Sequence, residues 1–268
     1  MNIIHSSRRH HYVARFSTFL IVVALIAAIV GCGGGSEYDL TEEDEVVTFP
    51  DPNLESVIRE AMGKPTGPIH SSELGELSCY LDASAKNISD ITGLEYATSL
   101  GGLDLDNNQI SDISALANLT SLTEVFLNHN EISDISALAN LTSLICVQLG
   151  DNQISDISVL ANLTNLTCIH LSHNQISDIS PVANLTNLTT LSLGGNHIAN
   201  IFPLANLTRL TYLELFQNQI SDIMPLVENE GLSTGDTIYL HVNPLNFDSI
   251  DIYIPELESR GVTVYFYY

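Results

Sequence analysis

The chain of 268 residues is 45% hydrophobic and contains no tryptophan, which excludes intrinsic disorder for most of its length. Its 32 acidic and 8 basic residues give a formal net charge of -24 at pH 7. We therefore expect no nucleic-acid partner, because phosphate would be repelled. The same charge opposes adhesion to anionic lipid headgroups, so any membrane attachment requires a covalent or inserted anchor.

The first 31 residues have the pattern of a signal peptide. Residues 1–15 contain three arginines and no acidic residue, and residues 16–30 are almost wholly apolar. A retained transmembrane anchor is the alternative, although this apolar run is shorter than the roughly 20 residues that a bilayer requires. The pair Arg8 and Arg9 leaves the twin-arginine export route open, but His11 stands where that signal usually has an apolar residue.

A cysteine directly follows this segment. Gly31 and Cys32 resemble the end of the bacterial lipobox, which implies that the signal peptide of residues 1–31 is removed and that Cys32 receives a lipid. The chain is then expected to be exported and anchored by lipid to a bacterial membrane, facing the periplasm or the cell exterior. Residues 32–47 begin with CGGGS and continue with carboxylates, which predicts a flexible acidic tether.

Both flanks of the central region have the features of caps. Residues 48–77 are predicted as a helical N-terminal cap, in which Asp51 and Pro52 start a helix that Gly63 ends. A second short helix is expected from Ser71 or Ser72. Residues 246–268 are predicted as a C-terminal cap with one helix, or two broken near Pro255, followed by a strand. Such caps would cover the open edges of a sheet.

The body of the chain is a tandem repeat of fixed period, which indicates a solenoid. Leucine recurs at positions 100, 122, 144, 166, 188 and 210, and within one copy apolar residues occupy positions 100, 103, 105, 110, 113, 116 and 119. Counting a degenerate first copy, seven repeats and a partial one cover residues 78–245. Because one repeat cannot bury its apolar face alone, the stacked array is expected to fold as a cooperative unit.

Each repeat combines two local patterns and one recurring amide. The Leu-x-Leu alternation predicts a short strand with one buried face, and the later apolar spacing of three predicts tight turns or a 3₁₀ segment. An asparagine recurs where the chain leaves the strand, and its amide can donate to and accept from backbone groups. We interpret these residues as a structural ladder, with an outward-facing, ligand-binding row as the alternative. The ladder consists of Asn108, Asn130, Asn152, Asn174, Asn196, Asn218 and Asn243.

Two phrases carry a family resemblance. Residues 108–114 (NQISDIS) and 117–122 (ANLTSL) return in six copies with few changes. They resemble the internalin-type, 22-residue class of bacterial leucine-rich repeats. The resemblance implies an α/β fold, namely a right-handed leucine-rich-repeat solenoid with parallel strands on its concave face and 3₁₀ or turn segments on its convex face. It also implies binding of a protein or a glycan, because members of this family mainly bind diverse proteins or glycans. It does not identify the ligand, because they share little beyond the scaffold.

The expected ligand-binding surface is the concave face. If the leucines of each strand point inward, the residues between and beside them point outward. This face varies between copies, whereas the core does not. Its N-terminal half is acidic, which favours a basic patch on the surface of a partner. Its aromatic residues are candidate anchors for that partner. The candidate binding residues are Tyr80, Asp82, Asp104, Asp106, Glu124, Phe126, His129, Gln148, His170, His173, Tyr212, Glu214, Phe216 and Tyr239. The same columns contain Asn128, Cys146, Cys168 and His241.

Three kinds of chemistry are conceivable at this face. His129, Asp151 and His173 share a column, but its outer members lie about 10 Å apart, too far for one metal ion. Cys146 and Cys168 face each other on adjacent strands, where parallel side chains strain a disulfide, so both a disulfide and free thiols remain open. The sequence has no nucleophile motif, phosphate-binding loop or paired-carboxylate cleft, and we expect neither an enzyme nor a cofactor.

The sequence therefore predicts a membrane-tethered extracytoplasmic recognition module that binds a protein ligand through the concave face. One alternative is a structural envelope protein without a discrete ligand, which packs against copies of itself. Another is a glycan-binding module, because aromatic side chains can stack on sugar rings.

Overall fold

The computed structural model describes residues 44–267. The predicted signal peptide, the lipidation site at Cys32 and most of the predicted tether lie outside the described residues. No helix in residues 44–267 is long and apolar enough to cross a membrane.

The N-terminal segment contains two short strands and two helices. These are β1 (Val46–Val47), α1 (Pro52–Met62), β2 (Ile69–His70) and α2 (Ser71–Gly75). The Asp51 side chain accepts hydrogen bonds from the first backbone N–H groups of α1, and Gly63 ends the helix in the left-handed conformation, with φ of 62°. Both helices therefore start where the sequence predicts.

The tether predicted over residues 32–47 ends earlier than its predicted boundary. Strand β1 pairs antiparallel with β2, so Val46 and Val47 are part of the folded segment. The Asp44 carboxylate already accepts hydrogen bonds from the hydroxyl groups of Ser71 and Ser72, at 3.0 and 2.7 Å. The sequence offers little sign of this pairing, because two-residue strands carry no periodic pattern.

Nine three-residue strands form one parallel sheet, in the order in which they occur along the chain. Each repeat of the sequence thus contributes one strand, and the strand of the C-terminal segment extends the same sheet by pairing with the strand of the last repeat. The strands are β3 (Tyr80–Asp82), β4 (Gly102–Asp104), β5 (Glu124–Phe126), β6 (Cys146–Gln148), β7 (Cys168–His170), β8 (Thr190–Ser192), β9 (Tyr212–Glu214), β10 (Thr237–Tyr239) and β11 (Thr263–Tyr265).

Short helical turns return the chain from one strand to the next. Most are 3₁₀ segments, as the apolar spacing of three predicts: Leu94–Tyr96, Ser114–Leu116, Ser136–Asn140, Ser158–Asn162, Ser180–Asn184 and Phe202–Leu204. The last full repeat instead contains the α-helix α3 (Met224–Glu228), and the C-terminal segment has a π-helical turn (Ser249–Tyr253) followed by α4 (Ile254–Ser259). Pro255 lies in the first turn of α4, at the predicted break.

A single apolar core runs along the whole array. The leucine, isoleucine and valine residues at the recurring core positions of the repeats are 0–2% exposed, and the core continues into both flanking segments through residues such as Ile58, Leu74 and Leu257. In β4, Leu103 is fully buried while Asp104 on the opposite face is half-buried. The alternation therefore fixes which side chains face outward from the sheet.

The recurring asparagines form a ladder of amides, all of them buried except that of the half-buried Asn152. Asn174 is typical: its Nδ2 donates to the carbonyl oxygens of Leu149 and Leu171, at 2.9 and 3.1 Å, and its Oδ1 accepts from the Ile154 N–H at 2.9 Å. Every later ladder residue repeats this arrangement with its own and the preceding repeat. Each amide thus satisfies buried backbone groups that have no strand partner.

The residue before each ladder asparagine adopts a left-handed backbone. This conformation lets its N–H donate to a carbonyl of the next repeat, as from His129 to Gly150 at 2.9 Å. A non-glycine residue at this position costs about 1–2 kcal/mol. The series consists of Asn107, His129, Asp151, His173, Gly195, Gln217 and Val242, together with Ala85, which precedes Lys86 at the equivalent position of the degenerate first copy; their φ angles lie between 51° and 66°.

We expect Asn174→Ala to lower the free energy of unfolding by about 3 kcal/mol. The substitution leaves the buried Ile154 N–H without a partner, and it removes one of the two amide donors from each of the Leu149 and Leu171 carbonyl oxygens. Denaturant unfolding measures this change. The matched control is Asn162→Ala on an exposed 3₁₀ turn, which should stay within about 0.5 kcal/mol of the wild type. Equal losses in both variants would contradict the structural role of the ladder.

Val242 is the β-branched member of the left-handed series, with φ of 58°. Because such residues are the most strained in this region and asparagine tolerates it, Val242→Asn should raise the free energy of unfolding by about 1 kcal/mol. Val46→Asn is the control, since Val46 is equally exposed at 50% and has no positive φ. The two variants are compared by denaturant unfolding. If the free energy of unfolding rises in both, the stabilisation comes from placing a polar side chain in solvent and not from relief of backbone strain.

Candidate functional site

The candidate site is the sheet face, which we define as the outward side of β3–β11 together with the outward residues just beyond each strand. All of the candidate binding residues predicted from the sequence lie on this face and are exposed or half-buried. The structure separates them into an acidic group, a central polar network with two thiols, and an aromatic group.

The acidic group occupies β3–β5. Tyr80 lies across the backbone of Gly102 on the neighbouring strand, where any Cβ atom would collide with its ring. Its hydroxyl donates to Asp104 Oδ2 at 3.3 Å, and its ring lies 6.4 Å from that of Phe126. Glu124 is the register partner of Gly102 on the other side. The absent side chain at Gly102 thus allows an aromatic ring to lie among carboxylates.

Two register partners in this group have opposite pKa shifts. Burial raises the pKa of Asp104, and the nearby carboxylates of Asp106 and Asp82 act in the same direction. Hydrogen bonds from the Ser84 hydroxyl and N–H lower the pKa of Asp82. The charged form is therefore disfavoured at Asp104 and favoured at Asp82, although they occupy equivalent positions in consecutive repeats.

The centre of the sheet face is a hydrogen-bonded network around Asn128. Its Nδ2 donates to Asp106 Oδ2 at 3.0 Å and to Gln148 Oε1 at 2.9 Å. Its Oδ1 accepts from the Gly150 N–H at 2.8 Å and from His170 Nδ1 at 3.1 Å. Asn128 therefore lies on the sheet face as expected, but it is buried there, at 7% exposure, because neighbouring side chains use all of its hydrogen-bonding capacity. The network links four consecutive repeats.

The surroundings of His170 disfavour its charged form. Burial lowers its pKa, although Glu214, Asp151 and Asp106 act in the opposite direction. The contact with Asn128 Oδ1, an acceptor, requires the proton to lie on Nδ1. His170 is therefore a hydrogen-bond donor to the network.

Cys146 and Cys168 are register partners on β6 and β7. Both are half-buried, and both are free cysteines. Their thiols hydrogen-bond to each other, and this contact together with burial raises the pKa of Cys146. Gln148 also hydrogen-bonds to Cys146. The sequence leaves both a disulfide and free thiols open, and in this structure the two cysteines are free thiols.

The column that contains His129, Asp151 and His173 does not converge on one point. His129 Nδ1 lies 3.6 Å from Asp151 Oδ2, but the ring of His173 contacts Phe216, with centroids 5.8 Å apart. All three column residues belong to the left-handed series. Among residues 44–267 no group of three or more His, Cys, Asp or Glu side chains is placed to hold a metal ion.

The aromatic group occupies β9–β11 and the turns that follow. The rings of Phe216, His241 and Tyr267 stack in one row, with centroids 4.9 and 5.2 Å apart. Phe216 also lies over Gly194, where a Cβ atom would collide with its ring. Burial lowers the pKa of His241, which disfavours a charged imidazole between the two rings.

A second aromatic row runs beside the first. Tyr239 stacks on Tyr265 at 4.8 Å and lies 5.6 Å from Tyr212, whose hydroxyl donates to Glu214 Oε1 at 2.6 Å. Tyr265 and Tyr267 are 45% and 59% exposed. Both tyrosines fall in the predicted C-terminal cap, and their place on the sheet face was missed. The register of a C-terminal strand with β10 would have placed Tyr265 beside Tyr239.

Comparisons with known proteins support this architecture. The family model described as leucine-rich repeats (2 copies), which spans two repeats, matches four segments of this chain: residues 98–140, 120–162, 142–184 and 186–228. Comparison with curated proteins gives no match. Among solved structures, the internalin InlF from Listeria monocytogenes has a TM-score of 0.74 and 36% identity over 81% of this chain, which spans 64% of that protein. The internalin C2 from the same species has a TM-score of 0.72 and 36% identity, covering 82% of this chain and 94% of that one.

The opposite pKa shifts of Asp104 and Asp82 predict opposite responses to pH. A carboxylate whose folded pKa is raised costs stability once pH exceeds the unfolded value near 4, and one whose pKa is lowered stabilises the fold there. We therefore expect Asp104→Asn to stabilise the protein at pH 7 and Asp82→Asn to destabilise it. Thermal unfolding at pH 7 and pH 3 measures both, and the two differences should shrink at pH 3. Changes of the same sign at pH 7 would contradict the assignment.

Proposed function

Because the chain belongs to the internalin-type leucine-rich-repeat proteins, we propose that it is an exported recognition module that binds a protein ligand through the sheet face. Lipid on Cys32 and the tether after it hold the module at a bacterial membrane, facing the periplasm or the cell exterior. The proposed activity is binding without catalysis. The leucine-rich-repeat scaffold itself is a protein-interaction module, and the ligand and the anchor are the proposed parts.

The observation that carries this proposal is the continuous aromatic surface on β9–β11. Single exposed aromatic residues are ordinary on any protein surface. Here, however, Tyr212, Tyr239 and Tyr265 form a contiguous row, and the row from Phe216 to Tyr267 runs beside them. Contiguous rings of this kind are typical anchors of protein interfaces.

The size and charge of the face favour a protein over a small ligand. With strands about 4.8 Å apart, six spacings separate β4 from β10, so the acidic and aromatic groups lie roughly 30 Å apart along the sheet. Only a macromolecule can contact both. Basic side chains of that partner would meet Asp82, Asp104 and Glu124, and its apolar side chains would meet the tyrosines.

The test is capture of partners from the native envelope by crosslinking to the full chain, beside two double variants. Tyr239→Ala with Tyr265→Ala removes one stacked pair from the sheet face. Phe202→Ala with Phe247→Ala is the control, because these rings are more exposed, at 63% and 72%, and lie away from the strands. We expect the first variant to lose about tenfold or more of the capture and the control to retain it.

The outcomes separate this proposal from its alternatives. Capture of the chain alone, unchanged in the tyrosine variant, would favour a structural envelope protein. Capture of a glycan instead of a protein would favour a glycan-binding module. Equal loss in both variants would show that exposed aromatic area in general, and not the sheet face, drives the interaction.

A further inference from the structure

The middle of the sheet face contains a pair of thiols that the proposed ligand-binding function does not use. Cys146 and Cys168 are Cα partners on adjacent strands. The residues that follow them, Val147 and Ile169, are fully buried, so the alternation of the strands directs both cysteines outward. The thiols are half-buried and hydrogen-bond to each other. Two sulfur donors therefore stand side by side on a rigid support.

We propose that Cys146 and Cys168 form a two-coordinate binding site for a soft monovalent metal ion, Cu(I). Binding forms two copper–sulfur bonds and breaks two S–H bonds, and the two protons go to solvent. No oxidation or reduction takes place. The site is independent of the protein ligand proposed above.

The spacing of the strands suits a bridging ion better than a disulfide. Parallel neighbouring strands hold equivalent Cβ atoms about 4.8 Å apart, whereas a disulfide requires a Cβ separation of about 3.8 Å and sulfurs about 2.05 Å apart. With metal–sulfur bonds of about 2.3 Å, a linear S–metal–S unit spans about 4.6 Å. Two parallel cysteine side chains can therefore hold an ion without drawing the strands together.

The number and softness of the donors select the ion. Thiolates prefer soft metals such as Cu(I) and Zn²⁺. Zinc takes four ligands in its structural sites and at least three protein ligands in its catalytic sites. The described residues offer no group of three or more candidate ligands, so this pair cannot complete a zinc site. Cu(I) is stable with two thiolates in a linear arrangement.

The polar network orients a further group towards this pair. Gln148 Oε1 accepts from Asn128 Nδ2 at 2.9 Å, which fixes the amide so that its NH₂ group is available to donate. Gln148 hydrogen-bonds to Cys146, and an N–H donor stabilises a metal-bound thiolate. The Glu124 carboxylate lies beside Cys146 in the same column and opposes negative charge there. Gln148 is thus a positioning residue and not a ligand.

The experiment is anaerobic titration of the full chain with Cu(I) against a competing chromophoric chelator. We expect one ion per chain, a thiolate-to-copper charge-transfer band, and an affinity that rises about 100-fold per pH unit while two protons are displaced. Cys146→Ser and Cys168→Ser should each abolish the band, and Gln148→Leu should weaken binding about tenfold. Zn²⁺ should not compete at equal concentration.

Cys79→Ser is the control, because it removes a cysteine that lies outside the strand pair and leaves both thiols in place. It should bind Cu(I) as the wild type does. Thermal unfolding of each variant without metal verifies that the fold is intact. Binding that survives in Cys146→Ser would overturn the proposal, as would a disulfide between Cys146 and Cys168 in protein isolated from the envelope without reductant.

Discussion

A buried asparagine amide in each repeat is the interaction on which the rest of the structure depends. A coil that leaves a three-residue strand has carbonyl and N–H groups that no strand can satisfy. One amide bonds two carbonyl groups and one N–H group from consecutive repeats, which ties each coil to the previous one. Leaving such groups unpaired costs about 1–3 kcal/mol each. The array therefore holds its period wherever the asparagine recurs.

Because the asparagine ladder satisfies backbone groups inside the array, the residues of the sheet face are free to vary. Backbone groups are satisfied by the ladder and by neighbouring strands, and apolar burial takes place on the opposite side of the sheet, so outward residues carry little of the stability. Where large rings occur, they lie over positions without a side chain: Tyr80 over Gly102 and Phe216 over Gly194. At these places a residue of the face depends on the sequence of the adjacent repeat. Substituting either glycine would displace a ring.

The period made most of the fold predictable. Any feature that recurs in every repeat is sampled several times in one chain, so the buried columns, the strands and the ladder amides are identified from their recurrence. Features outside the period were missed for the same reason. Asn229 is fully buried and bonds the Leu204 and Leu207 carbonyl groups, but it lies in an enlarged repeat. Tyr265 and Tyr267 follow the helices of the C-terminal cap, so the 22-residue period does not extend to them.

The candidate site was predictable as a face but not as a set of contacts. Alternation assigns each residue to a side of the sheet, and this was sufficient for Tyr80 and Phe126. Burial of Asn128 arises instead from Asp106 in the preceding repeat and His170 two repeats later, so no single repeat contains that information. The acidic group, the thiol pair and the aromatic group are likewise complete only after folding stacks the repeats. The chemistry of the face is therefore a product of the array, and the scaffold alone does not identify a ligand.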